Sequence, residues 1–202
     1  MRAVIFDVFG TLLKIDRHKD PFNSLSRMAI QHGIQVPRTA LHEFMCKPWT
    51  LSECAQNLHF TISPKELKNL ERQLDEHLAT VELFPEVEQV LGLLRECDIK
   101  IAACSNLALP YGPLVKSLLP GLDAYVLSYE VGKTKPDPSI YQLALTALGV
   151  EAGATCMIGD SLRCDKRGPG DMGIQGYWLN REGASGADFR TLLDAMRLFQ
   201  AG

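Results

Sequence analysis

The 202-residue chain carries 21 basic and 24 acidic residues, a formal net charge of −3, with 46% hydrophobic and 22% charged side chains. This composition excludes a disordered, tail-like protein, and the absence of a basic excess argues against a general nucleic-acid binder. At this length folding buries roughly 70% of the unfolded chain's surface, enough for one large domain or a core carrying an insertion.

The six cysteines (Cys46, Cys54, Cys97, Cys104, Cys156, Cys164) form no CxxC pair and have no histidine at zinc-finger spacing. Cys104 and Cys156 sit inside apolar runs, where a thiol acts as a small hydrophobe. Reduced thiols in a cytoplasmic protein are the expectation. The first apolar run, at 3–6, is too short for a signal-peptide core, and nowhere do 18 apolar residues follow one another. No membrane association is expected.

Residues 2–8 form a short apolar run closed by Gly10, which predicts a buried strand. From 14 to 82 only helical signals appear. Asp20-Pro21 reads as a cap followed by proline at the first helical position, with Gly33 as a stop. Ser63-Pro64-Lys65-Glu66 is a capping box, and Leu67, Leu70, Leu74, Leu78 and Val81 line one face of the helix it opens.

After Leu83 helices and strands alternate. A helix over 85–97 turns Val87, Val90, Leu91 and Leu94 inward and leads to a strand over 99–104. A helical stretch at 112–119 precedes a strand at 124–128. A helix at 138–148, capped by Gly149, precedes a strand at 155–158. A last strand at 175–179 leads to a helix beginning near Asp188. Short apolar strands alternating with helices predict an α/β fold, a Rossmann-like doubly wound parallel sheet covered on both faces. The expected division is a core of residues 1–13 and 83–202 with a helical cap inserted at 14–82.

Ligands of such sheets bind beyond the carboxyl ends of the strands, and the polar residues cluster there. Asp7 closes the first strand and Phe9-Gly10-Thr11 follow it. Ser105-Asn106 closes the second. Gly159-Asp160-Ser161 closes the fourth, with Asp165 five residues beyond Asp160, and Lys135 lies in a proline-fixed turn, Lys135-Pro136-Asp137-Pro138. Converging carboxylates of Asp7, Asp160 and Asp165 would repel one another unless a hard cation, Mg²⁺ above all, joined them. A lysine, a hydroxyl and an amide beside them suit the non-bridging oxygens of a phosphoryl group, and a carboxylate can attack phosphorus. Metal-assisted phosphoryl transfer is the chemistry these residue types point to.

With these residues in view, the chain resembles the haloacid dehalogenase-like superfamily of hydrolases over its whole length. Asp7-Val8-Phe9-Gly10-Thr11 looks like the first motif of that superfamily, and Ser105-Asn106 the second. Lys135 looks like the third, and Gly159-Asp160-Ser161-Leu162-Arg163-Cys164-Asp165 the fourth. Each residue alone would be an ordinary cap or surface charge; four in order, each at a strand end, are specific. The resemblance implies a Rossmann-like core of strand order 3-2-1-4-5 with a helical cap between the first and second motifs. It implies Asp7 as nucleophile, Lys135 as its charge partner, and Ser105 as a phosphate-binding hydroxyl, with Asn106 either a partner of the nucleophile or a helix cap. It further implies Mg²⁺ held by Asp7, Asp160, Asp165 and the backbone carbonyl of Phe9. The substrate would be a small phosphorylated metabolite, and the protein a monomer or homodimer.

One position departs from the phosphatase pattern. Those relatives carry a second Asp two residues after the nucleophile, as proton donor; here that residue is Phe9. Asp16 or His18 are substitutes to consider. An aromatic residue there is also what haloacid dehalogenases carry, with Arg38 or Arg27 as halide acceptors. Against that reading stands Gly159-Asp160, since the dehalogenases need no metal. A phosphonate hydrolase would need a Schiff-base lysine, with Lys14 and Lys19 as candidates. A non-catalytic phosphoryl-ligand binder would have no use for Asp7. Among the rest, Thr11 is expected to support a turn, and His42, Trp49, Trp178, Arg163 and Lys166-Arg167 to be packing or solvated residues.

Overall fold

The computed structural model describes residues 1–16 and 20–199. Five parallel strands form the central sheet: β1 (Ala3–Phe6), β4 (Lys100–Ser105), β5 (Ala124–Leu127), β6 (Thr155–Gly159) and β7 (Gln175–Trp178), in the spatial order β5-β4-β1-β6-β7. Counted along the core, this is the expected 3-2-1-4-5. β1 sits in the middle, with Ala3 beside Lys100 and Thr155, and Phe6 beside Ala103 and Ile158.

The two-residue period of a strand sorts its side chains between two apolar layers. Val4, Phe6, Ile101, Ala103 and Ile158 face one layer; Ala3, Ile5, Ala102, Cys104 and Met157 face the other. α8 (Pro138–Leu148) covers the second layer with Ile140, Tyr141, Ala144, Leu145 and Leu148. Asp137 caps its start and Gly149, in the left-handed conformation, ends it. The first layer is covered by α5 (Val87–Glu96), α6 (Gly112–Leu118) and α10 (Leu192–Ala195). Short helical turns α7 (Ser128–Val131) and α9 (Gly168–Gly170) complete the core.

Between β1 and α5 the chain forms α1 (Pro21–Gln31), α2 (Ala40–Cys46), α3 (Leu51–Asn57) and α4 (Pro64–Leu78). The caps are those expected. Asp20 accepts from the Phe22 amide at 2.9 Å, and Ser63 and Glu66 form a reciprocal capping box. Leu70 is fully buried, and Leu67, Leu74, Leu78 and Val81 pack around the same layer.

Three expectations need correction. The segment 14–82 is not purely helical at its ends: β2 (Leu13–Lys14) pairs antiparallel with β3 (Glu82–Leu83), Leu13 opposite Leu83 and Lys14 opposite Glu82. Two-residue strands are too short to show alternation, which is why they escape sequence reading. The helix expected from Pro85 begins at Val87. The one expected near Asp188 begins at Leu192, because Asp188 instead accepts from the Trp178 amide (2.7 Å) and from Lys166. Among the described residues no helix is long and apolar enough to cross a membrane.

Candidate active site

The first strand ends where Asp7 donates its amide to the Ile158 carbonyl at 3.0 Å, so its side chain leaves the sheet at the carboxyl edge. The chain then turns sharply. The Val8 carbonyl accepts from the amides of Thr11, Leu12 and Leu13, and Gly10 takes φ +92°, a conformation open to glycine. The turn points the Thr11 hydroxyl back at Asp7, Oγ1 to Oδ2 at 3.2 Å. Thr11 therefore does more than support a turn: it fixes the orientation of the carboxylate.

Lys135 arrives from a distant part of the chain and is buried. Its ammonium donates to Asp7 Oδ1 and to Asp165 Oδ1, both at 2.7 Å. Burial works against this charge, yet the carboxylates of Asp7 and Asp165 override it and hold the Lys135 pKa well above the usual lysine value. Burial also lifts the Asp165 carboxyl to about 6, against the pull of Lys135. Asn106 has neither of the roles considered for it. Its side-chain amide pairs with both main-chain groups of Lys135, accepting from the amide at 2.7 Å and donating to the carbonyl at 2.9 Å. It lines the cavity, and one N–H and one oxygen lone pair of its amide hold the lysine main chain in place.

The fourth motif is built on a close approach. Asp165 sits in a π-helical turn, Leu162–Arg167, begun by Ser161, whose hydroxyl accepts from the Cys164 amide. The Ser161 amide in turn donates to Asp165 Oδ2 at 2.8 Å. A Cβ on Gly159 would collide with the Asp165 carboxyl, so only glycine lets that carboxylate fold back against the end of β6. Trp178 packs as expected and donates its indole N–H to the Asp160 carbonyl at 3.0 Å, bracing the loop. One carboxylate oxygen from each of Asp7, Asp160 and Asp165 lies within 4.8 Å of the others. Three carboxylates against one ammonium leave an excess of negative charge. The donors are hard oxygens, and the set fits a divalent cation of the Mg²⁺ type.

These residues form the floor of a cavity of about 490 Å³ that Ser105 also lines. Its walls are mostly apolar: Phe9, Phe22, Phe44, Tyr111, Leu41 and Met45, with Asp20 and His77 among the polar exceptions. The motifs do not include His77 or Tyr111. His77 is buried, one ring nitrogen 2.7 Å from the Asp16 carbonyl and the other 2.9 Å from the Tyr111 hydroxyl. A sequence signal exists for it, since His77 lies seven residues after Leu70 on the apolar face of α4.

The other candidates lie elsewhere. Arg27 bonds within α1, Arg38 is exposed, and neither lines the cavity. Lys14 pairs with Glu82 on the surface, His42 is exposed beside Cys46, and Lys166 pairs with Asp188. Trp49 is half-buried and packed; Arg163 and Arg167 are exposed. Asp16 contributes its carbonyl to His77. His18 and Lys19 lie outside the described residues. Burial pushes the Cys104 thiol, under the site, up to about 12, as suits a small hydrophobe.

Residues 1–169 match the family model for haloacid dehalogenase-like hydrolases. The chain belongs to that family. This haloacid dehalogenase-like hydrolase is 27% identical over 197 residues to (S)-2-haloacid dehalogenase 4A of Burkholderia cepacia, covering 91% of the chain and 84% of that protein. It is 33% identical over 103 residues to phosphoserine phosphatase of Thermus thermophilus, covering 49% of the chain and 41% of that protein. Its fold is shared by a HAD phosphatase from Thermococcus onnurineus, with a TM-score of 0.69 at 24% identity, covering 99% of this chain and 98% of that one. A 2-haloacid dehalogenase from Pseudomonas syringae superposes with the same TM-score at 20% identity, covering 98% and 97%. The relatives of this hydrolase thus include both phosphatases and dehalogenases.

Proposed function

We propose that this hydrolase is a Mg²⁺-dependent phosphatase of small phosphorylated metabolites, working through an aspartyl-phosphate on Asp7. The observation that carries the reading is the carboxylate cluster of Asp7, Asp160 and Asp165, two of which the Lys135 ammonium bridges. A nucleophilic carboxylate alone needs no such cluster, whereas transfer of a dianionic phosphoryl group toward a carboxylate needs the extra positive charge. Mg²⁺ held by Asp160, Asp165, Asp7 and the Phe9 carbonyl would supply that charge.

The chain's own residues account for the rest. Thr11 and Lys135 each bond one oxygen of Asp7 and so fix the carboxylate where it lines the cavity. The Ser105 hydroxyl and the Lys135 ammonium hold non-bridging oxygens of the phosphoryl group. Asp7 attacks phosphorus, the ester P–O bond breaks toward the leaving oxygen, and water then hydrolyses the acyl phosphate. Residues 14–82 act as a cap that opens for substrate and closes to exclude bulk water.

Phe9 favours a second reading, dehalogenation through an aspartyl ester, because a departing halide needs no proton. An assay for phosphate and halide release, run in parallel with and without Mg²⁺, separates the two. Phosphate release abolished by EDTA supports the phosphatase, and halide release that survives EDTA overturns it.

A further inference from the structure

The cavity walls make a continuous run of rings drawn from four parts of the chain. Phe9 follows β1 and meets Tyr111 edge-on, centroids 5.7 Å apart at 78°. Tyr111, in the turn after β4, lies 6.3 Å from Phe22 of α1, which lies 6.1 Å from Phe44 of α2. All four line the cavity above Asp7. Aromatic surfaces of this kind favour offset or edge-to-face contact with a further ring.

Two further observations point the same way. Phe9 occupies the position where a carboxylic acid would protonate a leaving oxygen, so leaving groups that are stable as anions are handicapped least. The Asp20 carboxylate also lines the cavity, held at the start of α1 by the Phe22 amide and bonded to the Asn23 side chain at 2.8 Å. A second anionic group on the substrate would meet it in a site that already holds three other carboxylates.

We infer that the leaving group is an uncharged phenol, making the chain selective for aryl phosphomonoesters over alkyl phosphates and phosphorylated acids. The inference rests on the phosphatase reading. In the first step a carboxylate oxygen of Asp7 bonds to phosphorus while the P–O bond to the aryl oxygen breaks, the electron pair leaving with an aryloxide stabilised by its ring. Water then attacks the acyl phosphate, releasing inorganic phosphate and regenerating Asp7; one of its protons ends on phosphate and the other neutralises the aryloxide.

Three esters of primary alcohols separate ring recognition from leaving-group acidity: benzyl phosphate, propyl phosphate and 2-phosphoglycolate, with phenyl phosphate as the acidic alcohol. Phosphate release by the full chain with Mg²⁺ gives kcat/KM for each. Benzyl phosphate is expected to exceed propyl phosphate by about tenfold or more, the factor expected for burying a ring. Phosphoglycolate should be poorest and phenyl phosphate best. Phe9→Leu should lower the benzyl-to-propyl ratio. Asp20→Asn, which retains a good helix cap, should raise phosphoglycolate relative to benzyl phosphate. Equal rates on benzyl and propyl phosphate, or phosphoglycolate matching benzyl phosphate, would overturn the inference and leave the phosphatase reading standing. Absence of phosphate release from all four would overturn both.

Discussion

Arg181 donates to the carbonyl of Thr11 at 2.7 Å, although the two residues are 170 positions apart. The same guanidinium donates to the Gly10 carbonyl, pairs with Glu86 at 2.7 Å and stacks 3.5 Å over the Phe84 ring. One side chain from the loop after β7 thereby pins the turn that carries the Asp7 orienting hydroxyl. It ties that turn to the segment where the helical insertion returns to the sheet.

Arg181→Met should lower stability by about 1–3 kcal/mol, since it leaves carbonyls and the mostly buried Glu86 without their partner. Burial raises the Glu86 pKa, but the Arg181 contact outweighs it and the carboxyl is held below its usual range. A depressed folded pKa means that the pair's contribution is present above the unfolded value and is lost as pH falls through the folded one. The stability gap between the two proteins in urea melts should therefore be widest at pH 7 and narrow as the pH drops below that of an ordinary glutamate, leaving the share due to the Gly10 and Thr11 carbonyls. A constant gap across that range would exclude the Glu86 pair as its origin.

Lys135→Met removes the ammonium that bridges the buried carboxylates of Asp7 and Asp165. Stranding buried charges costs about 3–5 kcal/mol, so a lower Tm is expected. Turnover should fall by about 10²–10³, the usual loss when one charged donor is taken from a reacting centre. Retained turnover in a folded variant would remove Lys135 from the chemistry.

Asp160 is half-buried and Asn has nearly its shape, so Asp160→Asn should fold normally. Mg²⁺ at a hundred times its dissociation constant should stabilise the parent chain by about 2.7 kcal/mol, seen as a rise in Tm. The variant should show a much smaller rise at the same concentration. An equal shift in both proteins would place the cation elsewhere.

Phe9→Asp restores a carboxylic acid at the position from which a leaving oxygen would be protonated. Turnover of propyl phosphate should rise by about 10–10² if a missing proton donor limits it. Phenyl phosphate, whose leaving group needs the proton least, should gain little. A gain of the same size on both esters would mean that protonation is not what the substitution supplies.

Much of this molecule is legible in its amino-acid sequence. Short apolar runs ending in Asp7, Ser105 and Gly159-Asp160 mark three strands and their polar ends, because burial of a parallel strand on both faces leaves an unbroken apolar signature. Asp20-Pro21, Ser63 through Glu66 and Gly149 mark helix ends through local hydrogen bonding that depends on neighbours three or four residues away. The role of Asn106 is not legible in the same way, because its partner, the main chain of Lys135, is 29 positions distant. The β2–β3 pairing leaves no pattern because its strands are two residues long.

Local pattern alone determined the fold class, the order of the motifs and the residue types at the strand ends, since those follow from periodicity and capping within a few residues. Only the tertiary structure decided which of those residues meet. The turn between α7 and α8 brings Lys135 onto Asp7 across 128 positions, and the fold carries Arg181 to Thr11 and the rings of Phe22 and Phe44 over Phe9 and Tyr111. Such meetings depend on how packed layers bring remote segments together, and no short-range spacing encodes that.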